Sequence, residues 1–207
     1  MLRIARLPRQ VASAHYLERV RVFLAGASGV IGIRLTALLG AAGHDVAGMT
    51  RSPEKAAAIS ALGATPVVCD VFDARALTAA VVEFHPDAVL HELTDLPDDV
   101  ARITDFGASN ARIRREGTRN LLAAAEAADV SRFLAQSVAW ELPGDAGLAT
   151  ADLESAVLAA RGVVLRYGQF YGPGTYHEAD LPDAPRIEIT RLRSAPSPHS
   201  THPQGSL

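Results

Sequence analysis

Lysine is all but missing from this 207-residue chain. Lys55 is the only one, and arginine supplies the rest of the 20 basic side chains. Chemistry that needs a lysine amine after residue 55 is therefore excluded. Cysteine is equally scarce: Cys69 stands alone, which rules out an internal disulfide and fits a reducing, cytoplasmic location. The seven histidines are scattered, with no HxxxH or CxxC spacing, so no metal site is expected. No apolar run approaches the roughly 20 residues of a spanning helix, so no membrane segment is expected. A net charge of -3 offers no basic surface for nucleic acid. What the chain does have is apolar residues, 48% of the total, enough for one full core and too short a chain for two.

The stretch around which the rest is organised is Arg21-Val-Phe-Leu-Ala-Gly-Ala-Ser-Gly-Val-Ile-Gly32. Val20 to Ala25 reads as a buried strand, and Val30, Ile31, Ile33, Leu35, Leu38 and Leu39 begin a helical pattern at once. Between them Gly26, Gly29 and Gly32 recur at a spacing of three. Strand, glycine turn and helix in that order are the setting of a dinucleotide fingerprint. Gly26 permits the tight turn, Gly29 lets backbone approach a pyrophosphate, and Gly32 lets the helix pack close to the strand. The helix start presents unpaired amides to the phosphates. The spacing is one residue longer than GxGxxG, and a glycine turn that only packs a helix on a sheet gives the same pattern.

Residues 1–19 precede this unit as an arginine-rich N-terminal extension, expected to be a misplaced start or a loose extension rather than a transit peptide. Beyond the first helix, Asp45–Met49 reads as a second strand, ending in Thr50-Arg51-Ser52-Pro53. An acid near this point takes the ribose hydroxyls in NAD-binding units, and an arginine accommodates a 2′-phosphate. Arg51, with the Ser52 hydroxyl beside it, therefore points to NADP, with NAD as the alternative; a solvated arginine ahead of a helix is the other reading. A helix over 53–62 follows, then a strand Thr65–Cys69, with Asp70 and Val71 at its end and Asp73 as N-cap of a helix over 74–84. Cys69 is expected in the core. Asp87–His91 is a fourth strand, followed by Glu92-Leu93-Thr94-Asp95 at the edge where such sheets place ligands. A helical region over about 100–128 precedes a fifth strand, Arg132–Gln136, which ends in Ser137. A loop over 143–147, a helix over 150–160 and a sixth strand, Gly162–Tyr167, complete the alternation. The expected fold is a doubly wound parallel α/β sheet of six strands, order 3-2-1-4-5-6, with helices on both faces, the Rossmann fold, spanning residues 20–178. Arg186–Ile189 reads as one more short strand. The rest of 179–207 is a Pro/Ser/His-rich tail, expected to be disordered or aberrant.

Gly26-Ala-Ser-Gly-Val-Ile-Gly32, Asp87-Ala-Val-Leu-His91, Glu116-Gly-Thr-Arg-Asn-Leu-Leu122, Gln136-Ser137 and Leu165-Arg-Tyr-Gly-Gln-Phe-Tyr-Gly-Pro-Gly174 occur in order. Together they resemble the extended or atypical short-chain dehydrogenase/reductases, and most of all the NAD-dependent epimerase/dehydratase group. The resemblance implies a nicotinamide cofactor, with Gly26, Ser28, Gly29, Val30, Ile31 and Gly32 around the pyrophosphate. Arg51 and Ser52 would meet the adenosine phosphate, Asp70 and Val71 the adenine, and Leu93 and Thr94 the ribose side. Ser137 falls at the catalytic serine, and Tyr171 lies in the loop near the nicotinamide.

Two departures weigh against a simple transfer. The family's proton donor is Tyr-x-x-x-Lys, in which the lysine lowers the tyrosine pKa. No tyrosine lies between Ser137 and Tyr167, and Ala146 and Thr150 fall where the pair belongs. The chain also loses its pattern after the YGPG loop, where extended members continue into a substrate pocket, so a C-terminally truncated frame is expected. The resulting expectation is an NAD(P)-binding oxidoreductase or epimerase-like protein acting on a carbonyl or sugar-type small molecule. A non-catalytic NADP-binding sensor and an inactive truncated fragment are the alternatives. Pairing of two copies through the helical region 107–128 is left open.

Overall fold

The computed structural model describes residues 18–97, 99–183 and 185–189. Expectations for residues 1–17 and for the tail from 190 onward lie outside the described residues.

Six parallel strands form one sheet: β1 (Arg21–Ala25), β2 (Asp45–Thr50), β3 (Thr65–Val68), β4 (Ala88–His91), β5 (Arg132–Val138) and β6 (Val163–Tyr167). Their spatial order is β3-β2-β1-β4-β5-β6, as the alternation of the sequence predicts. β1 is flanked by β2 and β4 and is buried from Val22 to Ala25, which is why it reads as a continuous apolar run. The chain winds outward from β1 in both directions, so the strand order reverses between β1 and β4. The crevice that such a reversal opens lies at the carboxyl ends of the strands.

Helices cover both faces. α1 (Val30–Ala41) and α2 (Ala56–Ala61) belong to one layer, where Leu35, Leu39 and Ile59 pack with Leu24, Val46 and Leu90. On the other face α3 (Ala74–Phe84), α5 (Thr118–Ala127) and α6 (Gly144–Ala159) contribute Leu77, Val81, Leu121, Ala124, Leu153 and Val157 to the larger core, over Phe23, Val89, Phe133 and Ala135. Asp73 caps α3 as its sequence position foretells, its carboxylate accepting from the Ala76 amide at 3.0 Å. Cys69 is in this core, and burial raises its thiol pKa.

The connections depart from the sequence expectation in three places. The segment 53–62 begins with a 3₁₀ turn, Pro53–Lys55, before α2. The region 100–128 is not one helix. A 3₁₀ stretch, Val100–Phe106, leads into α4 (Gly107–Arg112), and a π-helical turn, Ile113–Gly117, joins α4 to α5. α6 starts at Gly144, six residues before the predicted 150. Pro143, Gly144 and Gly147 suggest a loop there, but Gly147 lies in the helix and is glycine for a steric reason, since a Cβ at that position would lie 2.1 Å from the Leu142 carbonyl oxygen. After β6 a short strand, β7 (Gln169–Tyr171), pairs in parallel with β8 (Arg186–Glu188), the extra strand expected near 186–189.

Candidate functional site

The glycine turn is built from backbone. The Gly26 and Ala27 amides both donate to the Met49 carbonyl, at 3.2 and 3.1 Å, and the Gly29 amide donates to the Gly26 carbonyl at 3.0 Å. Gly26 sits at φ +97°, and a Cβ there would lie 2.8 Å from the Glu92 carbonyl oxygen. A Cβ at Gly32 would lie 2.0 Å from the Gly26 carbonyl oxygen, so α1 can reach the end of β1 only with glycine at that position. Gly29 differs: its nearest neighbour would be 3.4 Å away, and Gly29 and Val30 are exposed. Val30, Ile31 and Gly32 open α1, where the helix supplies no acceptors for the first amides, and no side chain caps them. The turn is thus closed by protein on its inner side and bare on its outer side, as a phosphate cradle requires. Ser28 stands beside it, its hydroxyl 3.0 Å from that of Thr50. Arg34, which the sequence reading passed over, ties the cradle to the loop after β7, donating to the Val30 and Pro173 carbonyls at 2.6 Å each.

At the tip of β2, Arg51 donates to Asp95 at 2.7 Å, across the carboxyl edge of the sheet. The Arg51 side chain is 61% exposed and that of Asp95 only 15%, so the arginine remains reachable by a second anion. Ser52 is half-buried, and its amide donates to the Thr50 hydroxyl. Asp70 is exposed and accepts from the Phe72 amide at 2.9 Å. Val71 is buried in the core, with its carbonyl accepting from the Asn120 amide, so its side chain offers apolar packing beneath the site.

At the other end, Leu93 packs on the core, its carbonyl accepting from Gln136, while Thr94 is exposed. Ser137 is 1% exposed and donates to Glu154 of α6 at 2.5 Å. Arg166 grips the same carboxylate with two bonds, at 3.0 and 2.5 Å, and holds its pKa below the usual carboxylate range against the effect of burial. Thr150 turns back onto its own helix, donating to the Ala146 carbonyl at 2.8 Å. A cleft of about 460 Å³ opens alongside, lined by Trp140, Thr150, Glu154 and Arg166 among others. Trp140 walls this cleft and is not core, being 39% exposed. Tyr171 lies in β7 with its hydroxyl toward Glu188 at 3.4 Å, and shares no hydrogen bond with Ser137.

Three ionisable groups around this edge are hidden. His91 is fully buried, with Nε2 3.0 Å from the Thr118 hydroxyl and Nδ1 accepting from the Leu93 amide. Burial, helped by the Arg114 charge, lowers its pKa to about 3. It is a neutral structural histidine. Glu92 follows β4 directly. It is 8% exposed, Tyr167 donates to its Oε1 at 3.1 Å, and Oε2 has no partner. Burial pushes its pKa up to about 7, the Tyr167 bond acting in the opposite sense. Arg114, in the π-helical turn, is 6% exposed, and its Nε and Nη1 have no partner.

Sequence reasoning did not single out Glu92, Asp95 or Arg114 for roles. Glu92 and Asp95 carried the signal of lying just beyond a strand's carboxyl end. Arg114 carried none, because the π turn breaks the helical period from which an inward face is read. Among the described residues no group of three or more His, Cys, Asp or Glu is placed to hold a metal ion, and no helix is long and apolar enough to cross a membrane.

A six-stranded doubly wound sheet with a bare glycine turn at the reversal point defines a dinucleotide-binding protein of the Rossmann class. Residues 26–162 match the NAD(P)H-binding family, and the chain belongs to it. It is 37% identical over 200 residues to the 3-diazoavenalumate denitrifying reductase of a Streptomyces species, covering 84% of this chain and 64% of that one. Its fold is that of the UDP-glucose 4-epimerase of Thermus thermophilus solved with NAD (TM-score 0.64, 22% identity, 75% of this chain and 57% of that one). It is equally that of the Bordetella bronchiseptica enzyme WbmG solved with NAD (TM-score 0.62, 21% identity, 78% and 57%). The fold and the NAD(P)H-binding family membership implied by the resemblance to the NAD-dependent epimerase/dehydratase group are borne out. The chain spans somewhat less than two thirds of the length of these relatives.

Proposed function

We propose that this chain is the cofactor-holding part of an NAD(P)-dependent reductase that acts on a small electrophilic molecule. The observation that carries the reading is the glycine turn, sterically closed inside and bare outside, in a chain 37% identical to a reductase. The outward amides of Val30 and Ile31 would hold the pyrophosphate. Arg51 would take a 2′-phosphate in place of Asp95, which favours NADP over NAD. When bound, the nicotinamide supplies the hydride. Ser137 would hold the substrate oxygen after exchanging its bond to Glu154, and Leu93 would exclude water on the ribose side.

A carbonyl or sugar-type compound is the substrate class that the motifs suggest; the Streptomyces relative's name adds a diazo compound. A second reading, a sensor that binds NADP without chemistry, is favoured by Ala146 and Thr150 at the Tyr and Lys positions and by the engagement of the Ser137 hydroxyl. Transfer of deuterium from 4-deuterated NADPH to a panel of aldehydes, quinones, nucleotide sugars and aryl diazo acids separates the two. Label in any product supports the reductase. Tight NADPH binding with no transfer to any of them supports the sensor.

A further inference from the structure

We propose that Arg114 anchors an anion site beside Ser137, which takes the carboxylate of an organic acid. The word substrate would rest on the reductase reading; the anion site does not.

Three arginines cluster at the joint between α4 and α5, and two are satisfied. Arg112 holds Glu116 with two bonds, at 2.7 and 3.2 Å, and Arg115 holds Asp145 and Asp152, each at 2.7 Å. Arg114 is turned inward by the π-helical turn and hides all but 6% of its surface. It makes no hydrogen bond among the described residues, and its Nε and Nη1 are sealed from solvent. A guanidinium keeps its charge in proteins, and a buried charge without a partner is among the costliest arrangements a fold can hold. Buried polar groups are otherwise almost always satisfied, so this one calls for a missing partner.

The surroundings supply none. The π turn that carries Arg114 packs against α6, whose Glu154 holds Ser137, and Thr118, directly after the turn, meets His91. Glu154 is already committed to Arg166 and Ser137. His91 is neutral, and with Nδ1 accepting from the Leu93 amide its Nε2–H donates to the Thr118 hydroxyl. Thr150 is bonded to its own helix. A single guanidinium suits a singly charged, planar oxyanion. A phosphate dianion would need more positive charge than Arg114 offers with Arg166 already neutralised.

The test needs no turnover. Benzoate and cinnamate, the matching amides and inorganic phosphate are titrated calorimetrically against the full chain, with and without NADP⁺, using wild type, Arg114→Gln and Arg114→Met. Saturable binding of an acid, no binding of its amide, and a loss of about 10- to 100-fold in both variants is the expected result. Arg114→Met should fold at least as well as wild type, because it removes an unpaired buried charge at similar volume. Equal binding of acid and amide, unchanged affinity in the variants, or no binding of any acid overturns the proposal. Preference for phosphate overturns the carboxylate assignment. NADPH titrated into the same samples keeps the two readings apart. Acid binding without NADPH binding sinks the reductase alone, and NADPH binding without acid binding sinks the anion site alone.

Discussion

Replacing Glu92 by glutamine should leave stability nearly unchanged in mild acid and raise it in mild alkali. Glu92 is 8% exposed, and burial lifts its pKa from 4.5 to about 7. The folded state therefore binds this proton more tightly than the unfolded chain does. Between those two values the native protein carries more protons, so stability falls as pH rises through the window and is lowest above it. A shift of that size corresponds to about 3 kcal/mol at full ionisation. Glutamine keeps the shape and can still accept the Tyr167 hydroxyl through its amide oxygen, but it has no charge to desolvate. Urea unfolding of both proteins at about pH 5 and about pH 9 isolates the effect, because every other titrating group cancels between them. The stability difference between variant and wild type should grow by about 2–3 kcal/mol from the lower pH to the higher. A difference that is the same at both would refute the claim that Glu92 is a desolvated carboxyl.

His91 gives the opposite slope. Its pKa is lowered from 6.5 to about 3, so the stability contributed by the neutral ring is present above the upper value and is lost as pH falls through the lower one. His91→Gln should flatten the acid limb of a thermal unfolding profile. Gly32→Ala places a Cβ 2.0 Å from the Gly26 carbonyl oxygen, and should cost about 1–3 kcal/mol or more in denaturant unfolding and abolish cofactor binding. Arg51→Ala should weaken NADPH by about 1.5–3 kcal/mol, the worth of a charge-assisted contact, and leave NADH nearly unaffected in a fluorescence titration. Equal losses for both cofactors would remove Arg51 from the 2′-phosphate.

The sheet order was legible because each strand is a short apolar run bounded by glycine, proline or a cap, and parallel crossovers leave few topologies open. The glycine turn was legible for a steric reason, since no other residue fits at Gly26 and Gly32. The start of α6 was not, because Pro143, Gly144 and Gly147 carry loop chemistry into a helix in which Gly147 closely approaches the Leu142 carbonyl. Nor was the inward position of Arg114, since a π turn shifts the face of every residue after it. The role of Glu92 depended on a partner 75 residues away, Tyr167, and such long-range pairing leaves no local trace. The pairing of Arg51 with Asp95 was hidden in the same way, although both residues stood at strand ends where a ligand site was expected.

The central claim is that the bare amides opening α1 hold a dinucleotide pyrophosphate. Amide chemical shifts of isotopically labelled protein, followed while NADPH is added, test it most directly. The account predicts that Gly29, Val30 and Ile31 shift first and most, with Arg51 moving only for the 2′-phosphorylated cofactor. Saturable binding that leaves these amides unmoved, or no binding at all, would contradict it.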